Sequence, residues 1–366
     1  PLFSESGEYL LFSDVKWASP DTGFTCGMLW KYSMSTKEVT EFLKCAGLAG
    51  PPGPNAYDGL PLDIAVAIEA GPNGLTWGWN GDGSLLMCQH GWKRIVQFNV
   101  ADVNETVASI DPNLVTVVVD TYNSTNLNSP NDLDLADDGV LYFSDPPFGH
   151  QNNDVENPFG NSFELMTQDA PAVYSLNETG GVPVRVLEYD VPDDWSKRYG
   201  PNGVAVNDAN GDLAVAITDF LDPRVNIYPR NKDGTIGTEL KTSLNLTFRI
   251  EGDNADTMPA LVDGITFDSD LGILFVSGPG GIYIYETDGG YEYLGFIRID
   301  DLCSNNIVGG GYLWMTCNQR LLRIPLSKSD EENSVTTSSS SKLATTFFAR
   351  TLLFVLAIPS FYALAY

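Results

Sequence analysis

Six segments of the sequence repeat one pattern, and this repeat limits the possible folds more than any other feature. In each segment a small turn motif leads into an apolar strand, and an acidic or glycine turn then leads into a second apolar strand. The segments begin at Pro1, Pro72, Pro130, Pro201, Val262 and Ser304. Repeated four-stranded units with glycine and aromatic signals are typical of a β-propeller. We therefore predict an all-β chain that forms a six-bladed β-propeller.

Further strand pairs complete each unit, for example 94–98 with 114–119 and 282–286 with 293–297. No segment before the C-terminal tail shows sustained helical periodicity. A chain of 366 residues would ordinarily suggest about two domains, but one ring over residues 1–326 accounts for the length. We expect the ring to close by the pairing of an N-terminal strand, part of it missing from this sequence, with the last blade.

The C-terminal part of the sequence is predicted to lie outside the fold. Residues 327–350 form a Ser/Thr-rich linker and spacer, and residues 351–366 form an uncharged apolar tail. This tail is short for a transmembrane span, which needs about 20 residues. Small residues, a spacer and a terminal hydrophobic run match the signal for a GPI lipid anchor. We expect such a signal, with a membrane-anchoring tail as the alternative and a tail that does neither as the third interpretation.

Sequons and cysteines together favour a secreted or cell-surface glycoprotein, anchored through its C-terminus. Four Asn-x-Ser/Thr sequons, the acceptor sites for N-glycosylation, occur at Asn104, Asn123, Asn177 and Asn245. Cys26 and Cys45 bracket a predicted hairpin, so a disulfide between them is geometrically reasonable. Cys303 and Cys317 bracket another strand pair, and Cys88 is left over. None of the cysteines forms a CxxC pair, which argues against a zinc site of that type.

The charge of the chain excludes one class of partner. Asp and Glu number 48 against 20 Lys and Arg, which gives a formal net charge of −28. A nucleic-acid-binding surface needs clustered Lys and Arg, so we exclude nucleic acid as a partner. An anionic membrane surface would also repel this chain, which leaves the C-terminal tail as its only expected membrane contact. We expect a monomer that acts on a small molecule.

The repeat places a set of polar side chains on one face of the ring. The first two strands of each unit are antiparallel, so the start of the first and the end of the second meet at the same face. The unit starts supply amides and one carboxylate, at Asn73, Asn131, Asn202, Asp263 and Asn305. The ends of the second strands add Asp145 and Asp219, and both histidines, His90 and His150, follow such ends. Oxygen ligands of this kind suit Ca²⁺, Mg²⁺ or Mn²⁺.

Structural roles are the alternative for each of these residues. Asn and Gly form turns readily, so a Pro-Asn-Gly motif can simply be a tight turn that enters a strand. Asp145 and Asp219 can hydrogen-bond neighbouring loop amides, and His90 can pack within a turn. The sequence contains no G-x-S-x-G motif and no glycine-rich phosphate loop with its lysine, so neither of those chemistries is supported.

Four stretches of the sequence resemble the gluconolactonase/regucalcin (senescence marker protein) family. They read NGLTWGWNGDGSLLMCQHGWKRI, LNSPNDLDLADDGVLYFSDPPFG, YGPNGVAVNDANGDLAVA and VDGITFDSDLGILFVSGPGGIYIY. The resemblance extends over about residues 1–325, and the joint order of its motifs is more specific than any single one. It implies a six-bladed propeller, a divalent metal ion in the central channel and lactone-hydrolysing activity.

The resemblance also implies particular site residues. Asn202 and Asp263 match two of the family's metal ligands, and Asn131 matches a residue that contacts substrate or metal. A third ligand, a Glu in a Glu-Gly-Pro motif, would stand just before Pro1, so we expect the sequence to be truncated at its N-terminus. Ser129 stands where some members have an Arg that contributes to sugar-lactone specificity. We expect the bound metal ion to be Ca²⁺, with Zn²⁺, Mn²⁺ or Mg²⁺ as alternatives.

These residues suggest a divalent-metal-dependent hydrolase of lactones or related esters. Asp263 is the candidate general base, and Asn131 and His90 are candidate substrate-binding residues. Two alternatives stay open: a non-catalytic cell-surface propeller that binds a ligand or protein, and a strictosidine-synthase-like or arylesterase-like enzyme on the same fold.

Overall fold

The described part of the chain contains six four-stranded antiparallel sheets and one two-stranded hairpin. This computed structural model describes residues 1–20, 25–50, 69–79, 83–150, 166–177, 181–191, 199–219, 222–237, 239–246, 261–318, 320–326 and 354–357.

The strands of blades one to three, with a small hairpin (β9 and β10) between blades two and three, are Leu2–Phe3 (β1), Tyr9–Asp14 (β2), Met28–Ser33 (β3), Val39–Lys44 (β4), Pro72–Trp77 (β5), Ser84–Gln89 (β6), Arg94–Asn99 (β7), Thr116–Val119 (β8), Thr121–Tyr122 (β9), Thr125–Asn126 (β10), Leu133–Leu135 (β11), Leu141–Asp145 (β12), Ala172–Leu176 (β13) and Val184–Glu188 (β14).

The strands of blades four to six are Tyr199–Asn207 (β15), Asp212–Asp219 (β16), Arg224–Pro229 (β17), Thr242–Asn245 (β18), Ile265–Asp268 (β19), Ile273–Gly278 (β20), Gly281–Glu286 (β21), Glu292–Arg298 (β22), Cys303–Gly309 (β23), Tyr312–Cys317 (β24), Arg320–Pro325 (β25) and Phe354–Ala357 (β26).

The inner strands of neighbouring blades contact one another around a closed ring. Strand β5 contacts β2 and β11, β15 contacts β11 and β19, and β23 contacts β19 and β1. The predicted six-bladed β-propeller is therefore confirmed, and each of the six predicted segments opens one blade. In the described part of the chain, helix is limited to short 3-10 turns at Ala46–Leu48, Val100–Asp102, Pro112–Leu114 and Phe148–His150.

The hydrophobic core lies between the blades and is divided into six clusters. Each cluster fills the space between two neighbouring sheets, as expected for sheets that pack face to face. Burial is greatest in the second strand of a blade and decreases outward, so that β12 is buried at every position whereas β14 exposes both ends. Between blades six and one, the rings of Tyr32 and Trp314 pack with their centroids 5.2 Å apart.

The last blade obtains its fourth strand from a part of the chain that the sequence did not indicate. Strand β26 pairs antiparallel with β25, with Leu356 opposite Leu321. The expectation that an N-terminal strand would complete this blade is therefore wrong, because β1 and β2 pair within blade one. The other residues of the predicted tail lie outside the described residues, and the anchor signal stays a prediction. No helix in the described part of the chain is long and apolar enough to span a membrane.

Both cysteine pairs that bracket strands form disulfides. Cys26 bonds to Cys45, and Cys303 bonds to Cys317, while Cys88 is free and buried. The asparagines of all four sequons are exposed to solvent, and they lie on blades two, three and four or on the hairpin between two and three. Glycosylation itself stays a prediction.

Two carboxylates join blade three to blade four. Asp132 accepts a hydrogen bond from the Val204 amide at 3.0 Å, and Asp134 accepts one from the Val206 amide at 2.8 Å. Burial raises the pKa of Asp132 to about 6 and that of Asp134 to about 7, although these amide hydrogen bonds act in the opposite direction. The folded state therefore holds both protons more tightly than the unfolded state does.

This raised pKa predicts the sign of a pH effect on stability. Below the unfolded-state pKa of Asp134, near 3.8, the carboxyl group is protonated in both states and its contribution to stability is complete. This contribution is lost as the pH rises toward about 7, because the carboxyl group ionises more readily in the unfolded state. Asp134→Asn keeps an oxygen for the Val206 amide but cannot ionise. Its free energy of unfolding, measured by urea titration across this range, should therefore depend less steeply on pH than that of the parent protein. Asp270→Asn, an exposed control, should keep the parental slope, and an equal slope in Asp134→Asn would contradict the assignment.

Candidate functional site

The five unit starts lie at one face of the ring, at the beginning of the inner strands. Asn73, Asn202 and Asn305 are among the first four residues of β5, β15 and β23. Asn131 and Asp263 come two residues before β11 and β19. The strand pairing confirms that second strands end at the same face, because Pro72 is opposite Gln89 and Tyr199 is opposite Asp219. His90, which follows Gln89, therefore lies at this face as well.

Close contact between neighbouring blades explains why glycine follows three of these residues. A Cβ atom on Gly203 would lie 2.4 Å from the backbone oxygen of Asp263, and one on Gly264 would lie 2.1 Å from Cγ of Asn305. A Cβ atom on Gly74 would lie 2.7 Å from Cα of Asp132. The glycine of the Pro-Asn-Gly motif is thus required for packing around the axis, and the asparagine before it is brought toward the next blade.

Hydrogen bonds between blades hold this arrangement. The Gly74 amide donates to the backbone oxygen of Asn131 at 2.8 Å, and the Gly264 amide donates to that of Ser304 at 2.8 Å. The Ser144 hydroxyl donates to the backbone oxygen of Asn202 at 2.6 Å. Each unit start is therefore fixed by the blade beside it as well as by its own strand.

The side chain of Asn202 is buried and firmly oriented. Its Nδ2 lies 3.0 Å from Oγ1 of Thr218 and 3.4 Å from the backbone oxygen of Val262, and Thr218 donates to that same oxygen at 2.6 Å. The opposite atom, Oδ1, is buried and has no hydrogen-bond partner among the residues that the structure describes. Leaving such an oxygen unsatisfied costs about 1–3 kcal/mol, so it is the clearest sign of a missing ligand at this face. Thr218, which orients the amide, belongs to no recognisable motif.

Asp263 and Asn131 flank Asn202 on its two sides. Asp263 is half-buried, its amide donates to the Ser277 backbone oxygen at 3.0 Å, and it directly follows the Val262 that contacts Asn202. Asn131 is buried, and its amide donates at 2.9 Å to the backbone oxygen of Ser144, whose hydroxyl reaches Asn202. The structure therefore places these three residues on three successive blades at one face of the ring. Whether their side-chain oxygens share one cation stays a prediction.

His90 contacts the first asparagine of the set. It is buried, and its Nε2 lies 3.1 Å from Nδ2 of Asn73. Asn73 is therefore more than a turn residue, since its side chain contacts the His90 ring and restricts the orientation of that ring. The side chain of His150 lies outside the described part of the structure.

The two other carboxylates hold loops, as the structural alternative predicted. Asp145 is fully buried and accepts hydrogen bonds from the amides of Asn128 and Ser129, each at 2.8 Å. Burial raises its pKa to about 7, against the effect of these hydrogen bonds. Asp219 accepts a hydrogen bond from the Asp222 amide at 3.3 Å and lies 3.7 Å from Arg224.

Ser129 is bound within the same loop. Its hydroxyl donates to the Pro146 backbone oxygen at 2.5 Å and accepts from the Gly149 amide at 2.9 Å. The residue at this position therefore fixes the loop that leads into Asn131.

The donors at this face fit a hard divalent cation. They comprise the unpartnered amide oxygen of Asn202, the carboxylate of Asp263 and the side chain of Asn131, and oxygen donors of this kind are those that Ca²⁺, Mg²⁺ and Mn²⁺ prefer. Within the described ranges, no three His, Cys, Asp or Glu residues are grouped so that they could hold a metal ion. A cation here would thus depend on amide oxygens and a single carboxylate.

Comparison with known proteins supports the resemblance on which these roles depend. No family model matches the chain. A curated gluconolactonase from Zymomonas mobilis is 29% identical over 304 residues, which cover 81% of this chain and 68% of the relative. A solved gluconolactonase from Xanthomonas campestris superposes with a TM-score of 0.60 at 21% identity, covering 89% of this chain and 85% of that one. A luciferin-regenerating enzyme superposes with a TM-score of 0.53 at 15% identity, covering 91% and 86%. These findings confirm the resemblance to the gluconolactonase family.

The close approach at Gly203 can be tested by adding one methyl group. Gly203→Ala should force Asp263 away from Asn202 and lower the free energy of unfolding by about 1–3 kcal/mol, because the opposing atom is backbone and cannot rotate away. Urea denaturation measures this change. Gly295→Ala in β22, where a Cβ meets no atom within 4 Å, is the matched control and should leave stability equal or up to about 1 kcal/mol higher. Equal stability of both variants would contradict the packing role.

Proposed function

We propose that this chain hydrolyses lactones or related carboxylic esters with the help of a divalent cation bound at the channel face. Ca²⁺ is the first candidate for this cation. The similarity to gluconolactonases supports the reaction class. The single observation that supports the cation is the buried, unpartnered Oδ1 of Asn202 beside Asp263.

The residues of the face have separate roles in this proposal. Asn202, Asp263 and Asn131 would hold the cation, which when bound supplies Lewis-acid stabilisation of the charge that develops on the substrate carbonyl oxygen. Thr218 fixes the Asn202 amide so that its oxygen, and not its nitrogen, is presented. His90, whose ring contacts the Asn73 side chain, would contact the substrate beside Asn131.

Asp263 is the proposed general base. Its carboxylate would accept a proton from the attacking water, the water oxygen would bond to the carbonyl carbon, and the ring C–O bond of the lactone would break. The products are a carboxylate and an alcohol on the same molecule, and the alcohol oxygen takes up a proton.

Substitution of Asp263 tests both parts of the proposal. Asp263→Ala removes a ligand and the base together, so it should abolish hydrolysis and reduce cation binding by at least about tenfold. Turnover of a lactone panel and isothermal titration with Ca²⁺, Mn²⁺, Mg²⁺ and Zn²⁺ are the measurements. Asp270→Asn, in the exposed β19–β20 turn, is the control and should behave as the parent protein. Full lactonase activity in Asp263→Ala would refute the site, and tight ligand binding without turnover by the parent protein would favour a binding propeller.

We also propose that the protein functions at the cell surface or outside the cell. Two disulfides and four exposed sequon asparagines support an oxidising, secretory environment. If residues 351–366 are an anchor signal, protein isolated from cells should lack them, and peptide mass spectrometry should find no peptide from this segment. Recovery of an intact C-terminal peptide would contradict lipid anchoring and favour retention of strand β26 in blade six.

A further inference from the structure

We propose that Asn306 is a positioning residue of the candidate site, because it holds the segment that carries Asp263 from the side opposite to Asn202. This inference rests on the proposed function, in which Asp263 is both a cation ligand and the general base. It adds a residue of blade six to a cation site that otherwise draws on blades three, four and five.

The peptide carbonyls on both sides of Asp263 accept a hydrogen bond from an asparagine of a neighbouring blade. The Val262 carbonyl accepts from Nδ2 of Asn202 at 3.4 Å. The Gly264 carbonyl accepts from Nδ2 of Asn306, also at 3.4 Å. Asn202 belongs to blade four and Asn306 to blade six. Blade five is therefore held from both neighbouring blades at the point where Asp263 precedes its inner strand.

A second contact joins Asn306 to the strand that pairs with this segment. Nδ2 of Asn306 also lies 3.0 Å from Oγ of Ser277, the residue before the end of β20. The Ser277 backbone oxygen accepts from the Asp263 amide at 3.0 Å, and the Ser277 amide donates to the Gly264 backbone oxygen at 2.9 Å. One asparagine nitrogen therefore contacts both of the segments whose backbones bond to each other beside Asp263.

The oxygen of the Asn306 side chain distinguishes this residue from a structural asparagine. Asn306 is 1% exposed, and its Oδ1 is buried without a hydrogen-bond partner among the described residues. In the part of the chain that the structure describes, Asn202 is the one other asparagine with such an oxygen. By contrast, both ends of the amide have partners in the buried Asn128 and Asn226. Asn306 therefore shares an unusual property with the proposed cation ligand Asn202.

The partners of Nδ2 determine which end of the Asn306 amide faces blade five. A backbone carbonyl oxygen only accepts hydrogen bonds, so the atom that faces Gly264 must be the donor nitrogen. The reversed amide would place Oδ1 against this carbonyl oxygen and lose the bond. A buried oxygen without a partner is unfavourable, so the structure tolerates this cost while it keeps a donor on the segment of Asp263.

Hydrogen bonds at both flanking carbonyls restrict the position of the Asp263 carboxylate. In the proposed reaction this carboxylate contacts the cation and accepts a proton from water, so a shift of its backbone would disturb both roles. Residues that orient a metal ligand typically contribute about 10- to 100-fold to metal affinity or activity. In this assignment Asn306 acts through Asp263 and contacts neither the cation nor the substrate.

Replacement of Asn306 by leucine removes the donor and keeps a side chain of similar shape. Asn306→Leu should weaken Ca²⁺ or Mn²⁺ binding in isothermal titration by about 10- to 100-fold, and should lower kcat for a lactone at saturating cation by a similar factor. KM should change by less than roughly threefold, because Asn131 and His90 are unaltered. Asn226→Leu, in the third strand of blade four, is the matched control and should keep the parental cation affinity and kcat.

A milder variant keeps the test decisive if Asn306→Leu folds poorly. Ser277→Ala removes one acceptor of the Asn306 nitrogen and leaves the Gly264 carbonyl in place. It should weaken cation binding by a smaller factor than Asn306→Leu. The double variant should bind the cation no more weakly than Asn306→Leu alone, because changes within one hydrogen-bond network are not additive. Fully additive losses would contradict a shared route to Asp263.

Hydrogen exchange of the Asp263 amide separates this inference from the proposed function. This amide should exchange about tenfold faster in Asn306→Leu than in the parent protein, and at the parental rate in Asn226→Leu. Faster exchange with unchanged cation affinity and kcat would overturn the positioning role while the proposed function stands. Unchanged exchange would show that Asn306 does not hold Asp263. If the parent protein neither binds a cation nor hydrolyses a lactone, the proposed function fails, and the exchange rate still decides whether Asn306 holds Asp263.

Discussion

The close approach of the inner strands around the ring axis is the constraint on which the rest of the structure depends. Where Gly203 and Gly264 follow Asn202 and Asp263, the next blade lies so near that no Cβ atom fits. The same approach carries the preceding polar residue to the edge of the channel. Packing and site geometry therefore depend on the same contacts, because a change that separates two blades also separates the two proposed metal ligands that these blades carry.

Polar groups at this face are oriented mainly by backbone and hydroxyl partners. Thr218 and the Val262 carbonyl turn the Asn202 amide, and Ser129 closes the loop before Asn131, whereas His90 contacts the side chain of Asn73. Such support leaves selected atoms available, the clearest being Oδ1 of Asn202. Preorganised atoms of this kind are what a binding or catalytic site needs, since their orientation does not have to be established when the ligand arrives.

Sequence alone predicted the blades and the face on which Asn131, Asn202 and Asp263 lie, because strand alternation and turn motifs are local signals. It did not reveal why glycine follows Asn202, since the atoms that exclude a side chain belong to Asp263, about sixty residues later. Thr218 was missed for a similar reason, because a threonine at a strand end carries no motif. Strand β26 was not predicted, since an apolar tail has the same composition whether it pairs with β25 or anchors a protein.

Carboxylates close to the channel face are stabilised by main-chain amides. Asp132 and Asp145 accept hydrogen bonds from backbone amides of the neighbouring blade or loop, and burial raises the pKa of both. A buried carboxylate elsewhere in the ring has a cationic partner instead, as Asp212 has in Lys241 at 2.6 Å. A main-chain amide is positioned by its strand and its blade, whereas a lysine side chain is flexible. The loop that carries Asn131 therefore keeps its shape as long as the blades stay packed, which ties the channel face to the close approach of the inner strands.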